Sequence, residues 1–211
     1  MSLKLNELFH SIQGESSYAG LPCVFIRLSG CNLRCTYCDT QYAYDEGERV
    51  DIPEIVGRVS GFGCELVEIT GGEPLLQEDT PVLVEALLAK NFTILLETNG
   101  SIDIDRVDRR CRRIVDVKCP SSGMDGQNDL GNLERLTKRD ELKFVIGDRI
   151  DYEFARRTVA ALPSGHKINF SPVFGAIPLR TLAGWILQDR LPVRLNIQLH
   201  KVIWDPNARG V

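Results

Sequence analysis

Short apolar segments that alternate with amphipathic segments are the feature that most limits the fold of this 211-residue chain. The apolar segments are rich in β-branched residues and are bounded by Gly, Pro or Asn, which predicts strands. They are residues 24–30, 66–72, 93–100, 113–119, 141–147, 167–173 and 193–199. Helical periodicity in the intervening segments predicts helices over residues 52–59, 80–90, 103–111, 151–162 and 179–190.

This alternation is typical of right-handed βαβ units around a mostly parallel sheet. A closed eight-stranded barrel needs about 250 residues. The chain is shorter, so we predict an α/β fold with a partial, open βα barrel. Residues 120–139 contain several Gly, Asn and Asp turn signals and are expected to form a long loop that ends in a short helix. No internal repeat or linker-like composition is present, and residues 1–211 are predicted to form a single domain.

Composition narrows the class of protein. The net charge is −4 and Lys and Arg are scattered, which argues against a nucleic-acid partner, and the Arg-rich residues 106–113 are expected to form a solvated helix face. No segment approaches the roughly 18 apolar residues of a membrane span, and residues 1–16 lack the apolar core of a signal peptide. The seven cysteines are odd in number and unevenly spaced, unlike a secreted disulfide framework. We therefore expect a cytoplasmic protein without a membrane partner.

Polar motifs follow successive predicted strands, where function gathers in parallel α/β folds. A cysteine-rich loop follows the first strand, GGEP (71–74) follows the second and ETNG (97–100) follows the third. Because the carboxyl ends of parallel strands lie at one edge of the sheet, these motifs are expected to share a site.

The cysteine-rich loop holds Cys31, Cys35 and Cys38. Zinc is usually bound by four ligands, so a zinc site here would need a distant fourth residue such as a histidine. Iron–sulfur clusters also normally use four thiolates, but a cluster held by three leaves one iron open to a reacting molecule. The odd number favours a cluster, although the spacing alone leaves the metal open. The other four cysteines are isolated in or beside apolar segments and are expected to be small packing residues.

The spacing CxxxCxxC, with Tyr37 before the last cysteine, resembles the motif of the radical S-adenosylmethionine (SAM) superfamily. TGGEP (70–74) after the next strand has the position of that superfamily's SAM-binding motif, in which glycines let the backbone approach a ligand closely. The resemblance implies a 4Fe–4S cluster whose open iron binds the amino and carboxylate groups of SAM. Electron transfer then yields a 5′-deoxyadenosyl radical.

Within that superfamily the chain resembles the 7-carboxy-7-deazaguanine synthases. The similarity rests on SIQGES (11–16), on a cluster motif that ends in CDT (38–40), and on EITGGEP, LETNG, DVKCPSSG, ELKFVI, FSPV and QLHK along the rest of the chain. It implies ring contraction of 6-carboxy-5,6,7,8-tetrahydropterin to 7-carboxy-7-deazaguanine with loss of ammonia, in queuosine biosynthesis. It also implies Mg²⁺, an external flavodoxin- or ferredoxin-type reductant and a homodimer.

The resemblance assigns expected roles to individual residues. Cys31, Cys35 and Cys38 would hold the cluster and Thr40 would bind Mg²⁺, while SAM and the cluster carry the radical chemistry and no side chain is predicted to be catalytic. The expected substrate contacts are Ile12, Gln13, Gly14, Glu15, Arg27, Thr70, His200 and Val211. The expected SAM contacts are Thr36, Tyr37, Cys38, Asp39, Gly71, Gly72, Glu73, Asp116, Val117, Lys118, Ser171, Pro172, Val173 and Phe174.

Several alternatives remain open on sequence alone. Arg27 lies within an apolar strand and must be paired, either with a substrate carboxylate or in a structural ion pair. Glu97 and Asn99 reach the SAM ribose or simply form a turn, and His200 lies in the pocket or on the surface. Several family members carry Ser-Pro-Lys where this chain has Asp116-Val117-Lys118, so the resemblance carries over Lys118 and leaves the serine contact open. The alternative function is a glycyl-radical-enzyme activating enzyme, and the non-enzymatic alternative is a zinc-binding module.

Overall fold

One nine-stranded sheet organises the computed structural model, which describes all 211 residues. The strands are β1 Ser2–Ile12, β2 Pro22–Leu28, β3 Glu48–Asp51, β4 Leu66–Gly71, β5 Thr93–Thr98, β6 Arg112–Asp116, β7 Glu141–Ile146, β8 Lys167–Pro172 and β9 Arg194–Leu195. The helices are α1 Ile52–Gly61, α2 Thr80–Leu88, α3 Asn132–Arg135, α4 Arg149–Ala160, α5 Leu179–Gln188 and α6 His200–Ile203.

The strand order is β3-β1-β2-β4-β5-β6-β7-β8-β9. Neighbouring strands from β2 to β9 are parallel, whereas β1 is antiparallel to both β2 and β3. The two outermost strands, β3 and β9, do not pair with each other, so the sheet stays open. The predicted α/β fold with an open, mostly parallel barrel is confirmed.

Burial explains why the helices lie against one face of this sheet. In α1, Ile52, Ile55, Val56 and Val59 recur at helical spacing and are all buried, and Pro53 lies in the first turn, where it costs no hydrogen bond. These residues belong to the main core between helices and sheet. None of the helices has the length and apolar character needed to cross a membrane.

The other face of the sheet carries a small separate apolar cluster formed by Cys23, Phe25, Leu66, Leu95 and Ile114. Side chains alternate between faces along a strand, so the same face of β2 and β4 continues to Arg27 and Thr70, which are register partners. Towards the carboxyl ends of the strands, this inner face therefore changes from apolar to polar.

Two predicted elements are wrong. Residues 103–111 form only a short turn at Ile104–Arg106, because Asp103 and Asp108 accept hydrogen bonds from backbone N–H groups two residues further on. Such local bonds compete with helix formation. The last predicted strand, 193–199, is limited to β9, and His200 begins α6 instead of ending a strand.

Strands β1 and β3 were not predicted from the sequence, although the alternating burial of Leu3 and Leu5 is a strand pattern. The predicted loop at 120–139 is present. It contains turns at Pro120–Ser122 and Asp125–Gln127 and ends with α3.

Candidate active site

A cavity of about 1080 Å³ opens at the carboxyl ends of the parallel strands. It brings together motifs that are far apart in the sequence. All eight expected substrate contacts line it: Ile12, Gln13, Gly14, Glu15, Arg27, Thr70, His200 and Val211. Most expected SAM contacts line it as well: Thr36, Tyr37, Cys38, Asp39, Gly71, Gly72, Asp116, Lys118, Ser171, Pro172, Val173 and Phe174.

Cys31, Cys35 and Cys38 are free thiols on a loop without regular secondary structure, and all three line the cavity. Backbone N–H of Leu33 lies 3.4 Å from Cys31 Sγ, and Asn99 Nδ2 lies 3.8 Å from the same sulfur. Donors directed at sulfur stabilise thiolates that ligate a cluster. No three His, Cys, Asp or Glu side chains converge as they would on a single metal ion. Three free thiols on one loop are a donor set that fits a cluster held by three thiolates.

The glycine turn after β4 packs against the cysteine loop. A Cβ atom on Gly72 would lie 2.0 Å from the carbonyl oxygen of Gly30 and 3.0 Å from Cys31 Cβ. Gly71 has a φ of 158°, and a Cβ atom on it would lie 2.1 Å from the carbonyl oxygen of Leu28. Only glycine allows this approach, which holds the backbone of the turn beside the thiols.

Glu73 and Val117, two of the expected SAM contacts, do not line the cavity. The Glu73 carboxylate is buried and accepts hydrogen bonds from Leu75 N, Thr98 Oγ1 and Asn99 N, so it ties the turn to the end of β5. Val117 packs in the main core. Both side chains are structural, and we do not carry them forward as ligand contacts.

The turn at Gln13–Glu15 presents a carboxylate and an amide to the cavity. Glu15 forms an ion pair with Lys143 and accepts a hydrogen bond from Gln198 Nε2 at 2.9 Å. Burial raises the pKa of Glu15, but the Lys143 ammonium and these hydrogen bonds outweigh burial and hold the pKa below its usual value. Glu15 is therefore ionised at neutral pH.

Gly14 lies in the same turn, directly against α6. A Cβ atom on Gly14 would lie 2.2 Å from His200 Nδ1, and Leu199 N donates to the Gly14 carbonyl oxygen at 2.9 Å. Burial lowers the pKa of His200. The lowered pKa makes His200 a neutral imidazole at neutral pH. Its side chain lines the cavity, which decides between the pocket and the outer surface.

Arg27 combines the two alternatives that the sequence left open. Its Nε donates to Glu7 Oε2 at 3.0 Å, so a structural ion pair exists. The remaining guanidinium nitrogens make no hydrogen bond to the protein, and the side chain lines the cavity beside the Tyr42 ring. They can bind a ligand carboxylate.

Asp39 and Thr40 follow the last cysteine and face α6. Asp39 Oδ2 lies 2.5 Å from Lys201 Nζ, and Thr40 Oγ1 donates to Asp39 Oδ1 at 2.9 Å. Burial raises the pKa of Asp39. The opposing effects of Lys201 and the hydrogen bonds are larger and hold this pKa well below its usual range. These contacts join the cysteine loop to the C-terminal part of the chain.

Two buried polar atoms among the expected SAM contacts have no partner in the protein: Tyr37 Oη and Asp116 Oδ1. Asp116 uses only Oδ2, which accepts from Lys118 Nζ at 2.6 Å. Unpaired buried polar atoms are costly unless a ligand or water satisfies them. This region of the cavity is therefore suited to a polar ligand such as SAM.

Glu97 and Asn99 both line the cavity but make internal contacts. Glu97 Oε1 accepts from Lys143 Nζ at 2.7 Å, and Asn99 Nδ2 donates to Asn32 Oδ1 at 3.0 Å. Asn99 therefore positions the cysteine loop.

Glu68, Lys143 and Gln198 line the cavity without having been assigned a role from sequence. The signal for two of them was available, because Glu68 and Lys143 are charged residues within mostly apolar strands, as Arg27 is. Gln198 lies in the QLHK motif, but no role could be assigned to it, since its position depends on the turn between β9 and α6.

Comparison with known proteins identifies the family. The model of the radical SAM superfamily matches residues 25–162. A 7-carboxy-7-deazaguanine synthase of Chlorobaculum tepidum is 48% identical, over 99% of this chain and 97% of the relative. One from Koribacter versatilis is 43% identical, over 99% of this chain and 100% of the relative. The chain belongs to the 7-carboxy-7-deazaguanine synthase family of radical SAM enzymes.

A solved structure supports the fold of this synthase family member. The crystal structure of QueE from Escherichia coli matches with a TM-score of 0.79 at 24% identity, over 95% of each chain. The predicted family is thus confirmed. The alternative of a glycyl-radical-enzyme activating enzyme gains no support from these relatives. Membership of the radical SAM superfamily implies a 4Fe–4S cluster and SAM, which the donor set of the cysteine loop fits.

Proposed function

We propose that this chain converts 6-carboxy-5,6,7,8-tetrahydropterin to 7-carboxy-7-deazaguanine and ammonia, with a 4Fe–4S cluster, SAM and Mg²⁺. One observation carries the proposal. A single cavity combines three free thiols and a glycine turn with a group of side chains, Gln13, Glu15 and Arg27, that matches a pterin bearing a carboxylate.

When bound, the reduced cluster and SAM supply the radical that abstracts hydrogen from the substrate. Cys31, Cys35 and Cys38 would hold the cluster. The backbone of Gly71 and Gly72 would approach the methionyl part of SAM. The other SAM contacts that line the cavity are Thr36, Tyr37, Asp39, Asp116, Lys118, Ser171, Pro172, Val173 and Phe174.

The chain's own groups bind and orient the pterin. The ionised Glu15 is suited to accept paired N–H bonds from the guanidine-like edge of the ring. The guanidinium nitrogens of Arg27 that do not pair with Glu7 would bind the substrate carboxylate. Thr40 would give a hydroxyl oxygen to Mg²⁺, a hard cation that keeps several non-protein ligands. Ile12, Gln13, Gly14, Thr70, His200 and Val211 complete the substrate contacts.

The wider biological setting is proposed on the same basis. We propose a cytoplasmic homodimer that takes electrons from a flavodoxin- or ferredoxin-type reductant. The enzyme acts on a small molecule and needs no nucleic-acid partner.

The direct test is to incubate the anaerobically reconstituted protein with the carboxytetrahydropterin, SAM, a reductant and Mg²⁺. We expect the ultraviolet absorbance of the deazapurine to appear together with ammonia, while SAM is not consumed. If a preparation with a full complement of iron and sulfide makes no deazapurine, the proposed function is wrong.

Two variants separate the cofactor roles. Cys35→Ala should lose the cluster absorbance and all turnover, and activity in that variant would contradict the cluster assignment. Thr40→Ala should keep the cluster but weaken the dependence of the rate on Mg²⁺. An unchanged Mg²⁺ titration would remove Thr40 from the metal site.

A further inference from the structure

Glu68 is a buried carboxyl group in the cavity that the roles above leave unused. It lies on β4 between its two register partners, Phe25 on β2 and Leu95 on β5. Glu68 is only 3% exposed. Both flanking residues are apolar and belong to the cluster on the inner face. A carboxylate in this place has little access to water.

A chain of hydrogen bonds defines how Glu68 is oriented. Glu15 N donates to Gln13 Oε1 at 2.9 Å, which identifies that atom as the acceptor of the Gln13 amide. The other end, Gln13 Nε2, therefore donates to Glu68 Oε2. Glu68 Oε1 makes no hydrogen bond to any protein group and remains available to the cavity.

Burial and the surrounding charges keep Glu68 from ionising. Lys143 is the nearby cation, and it already pairs with two carboxylates, Glu15 and Glu97. Burial raises the pKa of Glu68 well above its usual value, and the charges of Glu97 and Glu15 raise it further, against the opposing effects of Lys143 and Gln13. With Oε2 accepting from Gln13, the proton lies on Oε1.

We propose that Glu68 determines specificity by donating its carboxylic O–H to a hydrogen-bond acceptor on the substrate ring. This inference rests on the proposed function for the identity of that ring. The guanidine-like edge of a pterin carries N–H donors, which suit the ionised Glu15, and the lactam carbonyl next to that edge is an acceptor. Gln13 accepts a hydrogen bond from the Glu15 backbone and donates one to Glu68, and both carboxyl groups line the same cavity, so one ligand ring can meet the acceptor and the donor.

The consequence is discrimination between ring types. A ring that carries an amino group in place of the lactam carbonyl would place a donor against the O–H of Glu68 and leave both unpaired. A buried polar group that loses its partner costs enough to change binding about 10- to 100-fold. Glu68 would therefore select lactam rings over diamino rings.

Two substitutions at this position test the proposal. Glu68→Gln keeps an acceptor for Gln13 and offers an N–H donor to the cavity, so the KM for the carboxytetrahydropterin should stay within about fivefold of that of the wild type. Glu68→Leu removes the donor, so KM should rise about 10- to 100-fold with a smaller change in kcat. The matched control is Glu65→Leu, an exposed residue outside the cavity, which should change neither constant.

Two further readouts separate recognition from a purely structural role. The wild type should discriminate between the pterin and its 2,4-diamino analogue in competition assays, and Glu68→Leu should lose most of that discrimination. Infrared difference spectra of wild type minus Glu68→Gln should contain the C=O band of a carboxylic acid at neutral pH. This band does not depend on turnover, so it tests the inference even if no deazapurine is made.

The inference is overturned if Glu68→Gln loses activity as severely as Glu68→Leu, because the site would then need a carboxylate. It is also overturned if the carboxylic acid band is absent or if Glu68→Leu keeps the wild-type KM and discrimination. Failure of the wild type to make the deazapurine would instead reject the proposed function.

Discussion

At the scale of single residues, the site contains two glutamates in opposite states. Glu15 is paired with Lys143 and stays ionised, whereas Glu68 on β4 has no counterion left and stays neutral. Two carboxyl groups whose pKa values are moved apart can recognise opposite hydrogen-bonding atoms of one ligand. The difference arises from where one lysine is placed, not from the glutamates themselves.

The neutral state of Glu68 predicts a pH-dependent effect on stability. Its folded-state pKa lies above the usual value of 4.5, so the unfolded chain releases this proton first as the pH rises. As the pH rises from 4.5 to the folded-state pKa, the free energy of unfolding of the wild type falls by at most about 1.4 kcal/mol per pH unit. Glu68→Gln avoids this loss. Urea unfolding should show that the variant gains stability relative to the wild type as the pH rises above about 5, and a difference that does not change with pH would contradict the neutral state.

The contact between the glycine turn and the cysteine loop predicts a loss of cluster in Gly72→Ala. The added Cβ would clash with the carbonyl oxygen of Gly30 at 2.0 Å, and either the turn or the loop must move. We expect less iron per protein after reconstitution, measured by iron analysis and by the cluster absorbance. Gly126→Ala is the matched control, because no atom lies within 4 Å of its Cβ position. Equal iron contents in the two variants would show that the close approach is not needed.

At the scale of secondary-structure elements, a buried ion pair joins segments that carry the cavity. Arg113 and Asp140 have fully buried side chains, with Arg113 Nη2 at 2.6 Å from Asp140 Oδ2. Arg113 also donates to the carbonyl oxygens of Ile104 and Arg135. The pair thereby connects β6 with the residues before β7 and with the end of α3.

Removal of one partner of this pair should be strongly destabilising. Arg113→Leu leaves Asp140 as an uncompensated buried charge, and such changes cost about 3–5 kcal/mol. Equilibrium denaturation should show this loss in the free energy of unfolding. Arg109→Leu, whose side chain is 67% exposed, should leave the denaturation midpoint in place. A similar small effect of both substitutions would mean that Asp140 is hydrated or paired in another way.

The parallel strands were predictable because their apolar content reflects burial on both faces. The observed β2 and β4–β8 lie within the predicted segments or extend them by one or two residues. The pattern fails where local bonds or distant contacts decide the structure. Asp103 and Asp108 replace the predicted helix by turns, and α6 is positioned by the bond from Leu199 N to the Gly14 carbonyl oxygen. The cysteine and glycine motifs were likewise recognisable. Glu68 and Lys143 were visible as charged residues in predicted strands, but their roles depend on register and shared neighbours that the sequence does not give.

At the scale of the whole molecule, the C-terminal segment, residues 196–211, runs from the β9 end of the open sheet to the turn after β1 and covers part of the cavity. Asn196 N bonds to the Phe170 carbonyl oxygen beyond β9, and α6 then contacts the turn after β1. Residues 206–211 all line the cavity. Arg209 anchors this segment, because its guanidinium lies 3.7 Å from the centre of the Tyr42 ring and its Nη1 lies 3.0 Å from Glu46 Oε2.

Loosening this segment should weaken substrate binding. Arg209→Ala removes an exposed cation–π contact and an ion pair, so we expect KM for the pterin to rise about two- to fivefold while the cluster content is unchanged. Steady-state kinetics measure this effect. Arg180→Ala, an exposed residue outside the cavity, is the control. If both variants keep the wild-type KM, the segment closes the cavity without the help of Arg209.

The covering segment also has a consequence for the order of events during synthesis. The ribosome produces residues 196–211 after every strand of the sheet, and domains generally begin to fold while the chain is still being made. A nascent chain can thus build its sheet while the thiols, the Gln13–Glu15 turn and the floor of the pocket are still uncovered. We therefore expect iron and sulfide to have their widest access to the thiols before Lys201 pairs with Asp39 and Arg209 contacts Tyr42.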